Sequence, residues 1–260
     1  MGYFGWLIWR HRQRRIPEKS YQALKIKPDD DYEAWYNGGN ALVNLGKLEE
    51  AIASYDQALK IKPDDYQAWY NRGIALFNLG RLEEAIASFD QALKIKPDLH
   101  DAWYNRGVAL EKLGRLEEVI AFYNQALKIK PDLHEAWYNR GVALFNLGRL
   151  EEAIASFDQA LKIKPDYHDA CYNRGIALGK LGRFEEAIIS YEQAIKIKHD
   201  YQEAWYNKAC CYSLLENIDL AIENLQQAIN LNAEWQEIAK TDTDFDNIRE
   251  DRQFQDLISC

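Results

Sequence analysis

The 260-residue chain has few of the features that mark secreted or membrane-spanning proteins. Its 4 cysteines are too few for the disulfide framework of a secreted scaffold, which favours a reducing compartment. No apolar run reaches the roughly 18 to 20 residues that are needed to cross a bilayer. The apolar stretch 3–9 precedes a basic cluster, which is the reverse of the order in a secretory signal. These absences predict a soluble, cytoplasmic protein.

Residues for catalysis and for metal binding are also scarce. The sequence has no phosphate-binding glycine loop and no convincing Ser, His and Asp set. Successive histidines at 100, 134 and 168 are 34 residues apart, so we expect a solvated surface row rather than a shared metal site. The adjacent Cys210 and Cys211 suit small core positions, with a redox role as the alternative. We therefore expect no enzyme activity, no metal and no cofactor.

The charge balance argues against nucleic acid as a partner. The net charge of -9 lacks the clustered cations that replace counterions on a phosphate backbone. The ends nevertheless differ, because residues 1–19 are basic and residues 234–260 are acidic. A structural module that self-associates weakly, end to end, is therefore an alternative function.

One 34-residue pattern fills most of the chain. A Trp-Tyr-Asn or Cys-Tyr-Asn triplet returns at every step, and its copies define six units: 32–65, 66–99, 100–133, 134–167, 168–201 and 202–235. A unit this short cannot bury its own apolar face, so the copies must stack on one another.

Each unit has the pattern of a helical hairpin. In the second unit, Gly80 follows the first apolar stretch as a C-cap, and Leu-Glu-Glu opens the second stretch with acids at its positive end. Lys-Ile-Lys-Pro then closes the unit, because proline disfavours further helix. We predict helices over 67–79 and 82–95. Gly73 and Ala85 lack bulk where these helices approach, so a large residue at Gly107 or Gly141 should split its hairpin.

The spacing of eight residues in the second unit resembles the tetratricopeptide repeat: Trp69, Gly73, Leu76, Gly80, Ala85, Phe89, Ala92 and Pro97. The resemblance covers residues 32–235. It implies an all-α fold, a right-handed α-solenoid of stacked antiparallel hairpins. It also implies a non-catalytic scaffold that binds a peptide or a helical segment of a partner protein in its concave groove.

The two ends depart from the repeat. We interpret residues 1–31 as a degenerate cap with a lone helix at about 17–27, and residues 236–260 as an acidic capping tail with a short helix near 250–258 and its acids turned outward. Stretch 3–15 is either a degenerate first helix on the first repeat or an interfacial anchor that binds a membrane surface. Departures from the pattern gather in the last units, where Cys171 replaces Trp, His199 replaces Pro and Ala209 replaces Gly.

The face opposite the Trp, Gly and Leu positions is the candidate groove. The residues that we assign to partner binding there are Tyr36, Tyr70, Tyr104, Tyr138, Tyr172, Tyr206, Asn40, Ile74, Val108, Val142, Phe77, Phe145 and Glu111. The tyrosines are either wall residues that pack between helices or anchors for a bound segment. Acids at the edge of this face favour a partner that mixes apolar and basic side chains. The basic residues with which some family members clamp a chaperone carboxylate are absent from the matching positions, so we do not expect that mode.

A second row carries positive charge and is assigned a structural role between repeats. Its members are Arg72, Arg106, Arg140 and Arg174. Their expected acceptors lie on the preceding second helices, at Asp56, Asp90, Asn124 and Asp158.

Overall fold

The computed structural model describes residues 31–259, and these residues form six helical hairpins and a helical tail. The hairpins are α1 Tyr32–Asn44 with α2 Leu48–Ile61, α3 Tyr66–Asn78 with α4 Leu82–Ile95, α5 His100–Lys112 with α6 Leu116–Ile129, α7 His134–Asn146 with α8 Leu150–Ile163, α9 His168–Lys180 with α10 Phe184–Ile197, and α11 Gln202–Leu214 with α12 Ile218–Leu231. The helices predicted over 67–79 and 82–95 are therefore confirmed to within one residue. Our expectations for the helix near 17–27 and for stretch 3–15 lie outside the described residues.

A left-handed glycine ends the first helix of the first five hairpins. Gly80, for example, has φ 78°. The amide of Arg81 then donates to the carbonyl of Leu76 at 2.9 Å, which satisfies a helix-end acceptor. In the last hairpin, Glu216 takes this conformation with φ 58°, although it carries a side chain. The turn therefore depends on the backbone conformation, which glycine adopts at least cost.

Small residues on the first helix let the second helix approach. A Cβ atom placed on Gly73 would lie 2.6 Å from Cε1 of Phe89, whose ring is fully buried. In the last hairpin, Ala209 stands at the position of the glycine and Leu225 at the position of the ring, and both are fully buried. The close approach of each hairpin thus depends on a small residue that faces a ring, or on Ala that faces Leu.

The described chain divides into two compact units inside α5, the first ending at Ala109 and the second beginning at Leu110. In the first unit α1 packs on α2, α2 on α3, and α3 on α4. In the second unit each helix from α6 to α12 packs on the next one. Within each unit, consecutive hairpins therefore stack, and the fold is an all-α solenoid.

The C-terminal tail closes the last hairpin of the second unit. It consists of α13 Glu234–Ala239, a 3-10 helix Thr243–Ile248 and α14 Arg252–Ser259, which confirms a short helix near 250–258. Phe245 and Phe254 are fully buried in a cluster with Leu225. The expectation that the acids of the tail face outward is wrong for Asp242, because its Oδ2 accepts a hydrogen bond of 2.6 Å from the hydroxyl of Tyr206.

Candidate functional site

The predicted tyrosine row lies along the first helices of the repeats. Tyr36, Tyr70, Tyr104, Tyr138 and Tyr172 are all partly exposed. Where ring contacts are described, the inner side of the tyrosine lies against an aromatic residue of the same hairpin. The ring centroids of Tyr138 and Phe157 are 5.9 Å apart, for example. One side of each of these tyrosine rings thus packs on the core, and part of the ring is accessible to solvent.

Side chains of the following repeat hold the tyrosine hydroxyls. In the first unit Nδ2 of Asn71 donates to Tyr36 at 3.1 Å. In the second unit Asn173 donates to Tyr138 at 2.9 Å and Asn207 to Tyr172 at 3.1 Å. Burial raises the pKa of Tyr172 to about 12, so this phenol stays neutral and a good partner for the amide. These bonds favour the interpretation of the tyrosines as wall residues, while their role as partner anchors stays a prediction.

A second aromatic ring extends this wall in the second unit. The centroids of Tyr138 and Tyr167 are 4.8 Å apart, and those of Tyr172 and Tyr201 are also 4.8 Å apart. His134 meets Tyr167 edge-on at 5.6 Å, and burial lowers the pKa of this imidazole. The predicted row of solvated histidines is therefore wrong at His134, because its ring packs against Tyr167 at the end of the same repeat.

The last tyrosine differs from the others because the tail covers it. Tyr206 is only 4% exposed and stacks on Trp235 at 4.3 Å. Its hydroxyl donates to Asp242, which takes the place of the asparagine that a further repeat would supply. Tyr206 therefore presents no open ring to a partner, and the neighbouring Cys210 is buried with it.

The other predicted groove residues differ in accessibility. Asn40, Ile74, Val142, Phe145 and Glu111 are partly exposed. In contrast, Val108 and Phe77 are buried. Burial raises the pKa of Glu111, and a hydrogen bond of 2.8 Å from the hydroxyl of Tyr123 opposes that shift. The most open apolar part of the predicted row in the second unit consists of Val142 and Phe145 together with the two tyrosine rings of α7 and α9.

The repeats alternate between two types, which the sequence analysis missed. The large buried ring of the second helix is tyrosine in the first, third and fifth repeats and phenylalanine in the second and fourth. In the phenylalanine repeats the facing row carries Phe77 and Phe145. In the tyrosine repeats the hydroxyl needs a polar neighbour, as Tyr55 finds at Asn40 (2.7 Å). The sequence signal for this alternation is the return of the same ring type at every second repeat rather than at every repeat.

The arginine row joins neighbouring hairpins. Nε of Arg174 donates to Asp158 at 2.6 Å, and its Nη1 donates to Ser190 at 2.6 Å. Arg72 contacts Asp56 and Ser88 in the same way. Arg106 donates to Asp90, and Arg140 donates to Asn124. Arg72, Arg140 and Arg174 thus link the second helix before them to the second helix of their own hairpin.

Family comparisons agree with this geometry. Models described as tetratricopeptide repeat match residues 36–100, 100–133, 134–167, 168–201 and 202–234. The chain belongs to the tetratricopeptide-repeat family. No curated protein matches it in sequence. The match to this family supports a protein-interaction scaffold.

Solved structures of other tetratricopeptide-repeat (TPR) proteins are similar to this chain. YrrB, described as a TPR protein with an unusual peptide-binding site, is 28% identical, covers 74% of this chain and 98% of its own, and has a TM-score of 0.65. MamA from Desulfovibrio magneticus RS-1 is 21% identical over 67% of this chain and 98% of its own, with a TM-score of 0.62. PilF from Pseudomonas aeruginosa is 17% identical over 85% of this chain and 99% of its own, with a TM-score of 0.64.

One group of potential metal ligands occurs in the described part of this TPR protein. Atoms of Cys210, Asp242 and Asp244 lie within 4.8 Å of one another. Hydrogen bonds within the protein already engage these side chains, from Tyr206 to Asp242 and between Cys210 and Asp244. Burial raises the pKa of the Cys210 thiol well above its usual value, which disfavours a thiolate ligand. The group therefore serves to attach the tail. None of the helices within residues 31–259 has the length and apolar character that spanning a bilayer requires.

Proposed function

We propose that this TPR protein is a non-catalytic scaffold that holds a peptide or helical segment of a partner protein against its first helices. The row of partly exposed apolar residues on α7 and α9, which comprises Tyr138, Val142, Phe145, Tyr172 and Ile176, carries the proposal. Helix packing and the hydrogen bonds from the asparagines fix these side chains before any ligand arrives, which lowers the entropy cost of binding. The peptide-binding site described for YrrB supports this use of the fold.

Carboxylates near the row indicate the charge of the partner segment. Asp169 raises the pKa of Tyr138, and Glu203 raises that of Tyr172, in both cases after the larger effect of burial. Both acids therefore lie near the hydroxyl side of the tyrosine row. A segment that places Lys or Arg beside its apolar side chains would complement them, whereas an acidic segment would be repelled. The expected partner thus mixes apolar and basic residues.

Peptide display on the immobilised full-length chain tests the proposal. We expect selected peptides to be rich in apolar and basic residues, and to lose binding to the variant Val142→Glu/Ile176→Glu, which places two charges in the row. Ile163→Glu is the matched control, since Ile163 is exposed at the end of α8 and outside the row. Peptides that bind all three proteins equally would contradict the proposed groove.

The compartment is part of the same proposal. Cys171, Cys210 and Cys211 are free thiols, which suits a reducing cytoplasm. Fractionation of the source cell with an antibody against the chain measures this directly. Recovery from an oxidising compartment would contradict it.

A further inference from the structure

Glu111 is an exception in the row of groove residues on the first helices. The same position holds Phe145 in α7 and Gly179 in α9, whereas α5 has a carboxylate there. The side chain is partly exposed, and its Oε2 accepts a hydrogen bond of 2.8 Å from the hydroxyl of the fully buried Tyr123. One oxygen of this acid is thus held against the core, while part of the side chain is accessible to solvent.

The bond to Tyr123 does not by itself require a charged acceptor. In the first repeat the equivalent hydroxyl, that of Tyr55, donates to the neutral amide oxygen of Asn40 at 2.7 Å. Desolvation of a carboxylate costs free energy unless a cation or hydrogen bonds compensate for it. Burial accordingly raises the pKa of Glu111. A carboxylate at this position therefore needs a reason beyond the support of Tyr123.

The described part of the chain gives Glu111 no counterion. Among residues 31–259 no lysine or arginine forms an ion pair with it, although the adjacent Lys112 lowers its pKa. One repeat later, at the position equivalent to Glu111, the ring centroid of Phe145 lies 5.7 Å from Nζ of Lys180. The residue equivalent to Lys180 in the earlier repeat is Asn146, which is exposed and neutral. The repeat with the aromatic ring thus receives the lysine, and the repeat with the acid does not.

Apolar groove residues of the second unit accompany this carboxylate. Burial raises the pKa of Tyr138, and Asp169 and then Glu111 add to the rise. The Glu111 carboxylate therefore lies within electrostatic reach of the Tyr138 hydroxyl. Val142 and Phe145 follow Tyr138 at helical spacing on α7, and both are partly exposed. Attraction between charges is stronger at such a partly desolvated place than in bulk water.

We propose that Glu111 binds a Lys or Arg side chain of the partner segment and thereby sets the register of that segment in the groove. This inference rests on the proposed function and names the residue that selects the cation. In the second unit the first helices of adjacent repeats contact each other, α7 with α9 and α9 with α11. The axes of helices in contact are about 8 to 10 Å apart. An extended segment advances about 3.3 Å per residue, so its cation should lie about three residues from the apolar side chain that contacts Phe145.

Selection from a random peptide library on the immobilised full-length chain tests this assignment. We expect enriched peptides to carry Lys or Arg about three residues from a large apolar residue, and we expect selection on Glu111→Gln to lose the cation. This variant keeps an oxygen acceptor for the Tyr123 hydroxyl, so its urea midpoint should match that of the wild type. Glu152→Gln is the matched control, because it removes the same charge from an exposed acid of α8 that pairs with Arg149.

Two synthetic forms of the strongest peptide provide the decisive measurement. One form keeps its Lys or Arg, and the other has norleucine in its place. Fluorescence anisotropy should show that the wild type and Glu152→Gln bind the cationic form about tenfold more tightly, a difference of about 1.4 kcal/mol. Glu111→Gln should bind both forms about equally. A peptide with Glu at the same place should bind Glu111→Lys more tightly than it binds the wild type.

The outcomes separate this assignment from the proposed function. The same preference for the cation in Glu111→Gln and in the wild type, or selected peptides without a cation, would overturn the role of Glu111. If those peptides still lose binding to Val142→Glu/Ile176→Glu, the proposed function survives. A library that yields no binding peptide would overturn both.

Discussion

A single added methyl group at Gly141 tests the reasoning about helix approach. In Gly141→Ala the new Cβ atom would lie 2.6 Å from Cε1 and 2.7 Å from Cδ1 of Phe157. The Phe157 ring is fully buried in its hairpin, so it can move only against the residues that surround it. Helix α7 must therefore shift away from α8, or the ring must leave its preferred rotamer.

The magnitude follows from a comparison with Gly179→Ala. Both variants gain about 1 kcal/mol of helix propensity over glycine. Only Gly141→Ala adds overpacking, which costs about 1 to 3 kcal/mol, whereas the Cβ at Gly179 makes ordinary contact at 4.0 Å. The difference in unfolding free energy between the two variants should therefore be about 1 to 3 kcal/mol, with Gly141→Ala the less stable protein.

Urea unfolding followed by far-ultraviolet circular dichroism measures the difference through the midpoint and slope. A second change provides a further test, because the last hairpin pairs Ala209 with Leu225. Phe157→Leu should cost less in the Gly141→Ala protein than in the wild type, with a coupling above about 0.5 kcal/mol. Equal midpoints for Gly141→Ala and Gly179→Ala, together with no coupling, would refute the packing argument.

Three further predictions concern the arginine row, the tail and the thiols. Arg174→Met should lower the unfolding free energy by about 1 to 2 kcal/mol because it leaves two polar partners unpaired, whereas Arg183→Met breaks an exposed i,i+3 pair and should change little; equal urea midpoints would contradict this. Burial raises the pKa of Asp244. The contribution of this carboxyl to stability is therefore complete at a pH below the usual aspartate pKa, and it is lost as the pH rises through the raised pKa. The thermal midpoint of Asp244→Asn relative to wild type should accordingly increase over that window, and a constant difference would count against the burial of this carboxyl. Iodoacetamide at pH 8 should modify the buried thiols of Cys171, Cys210 and Cys211 only after urea is added. Fast labelling of these thiols in the native protein would show that they are accessible.

The helical scaffold could be predicted closely from sequence because its signals are local and repeated. Gly80 marks the end of one helix and Pro97 lies just beyond the next, so the observed ends fall within one residue of prediction. The partners of the arginine row also followed from repeat arithmetic, since Arg174 and Asp158 are 16 residues apart on adjacent helices. An interaction that recurs in each repeat can be predicted from sequence because the same residue pattern appears several times.

The rest depends on contacts that occur once. The tail has no repeat register, so nothing in the sequence showed that Asp242 would reach the Tyr206 hydroxyl and cover that ring. The open space at Gly179 is visible only when the neighbours of a missing side chain are known.

Alternation of the buried ring between tyrosine and phenylalanine makes a pair of hairpins the natural building block of this protein. Inserting a single copy would place two repeats of the same type next to each other and break the alternation. Copying two adjacent hairpins together would preserve it. Gene duplication that lengthens the array is therefore expected to proceed in double steps, and protein engineers who extend it should add hairpins in twos.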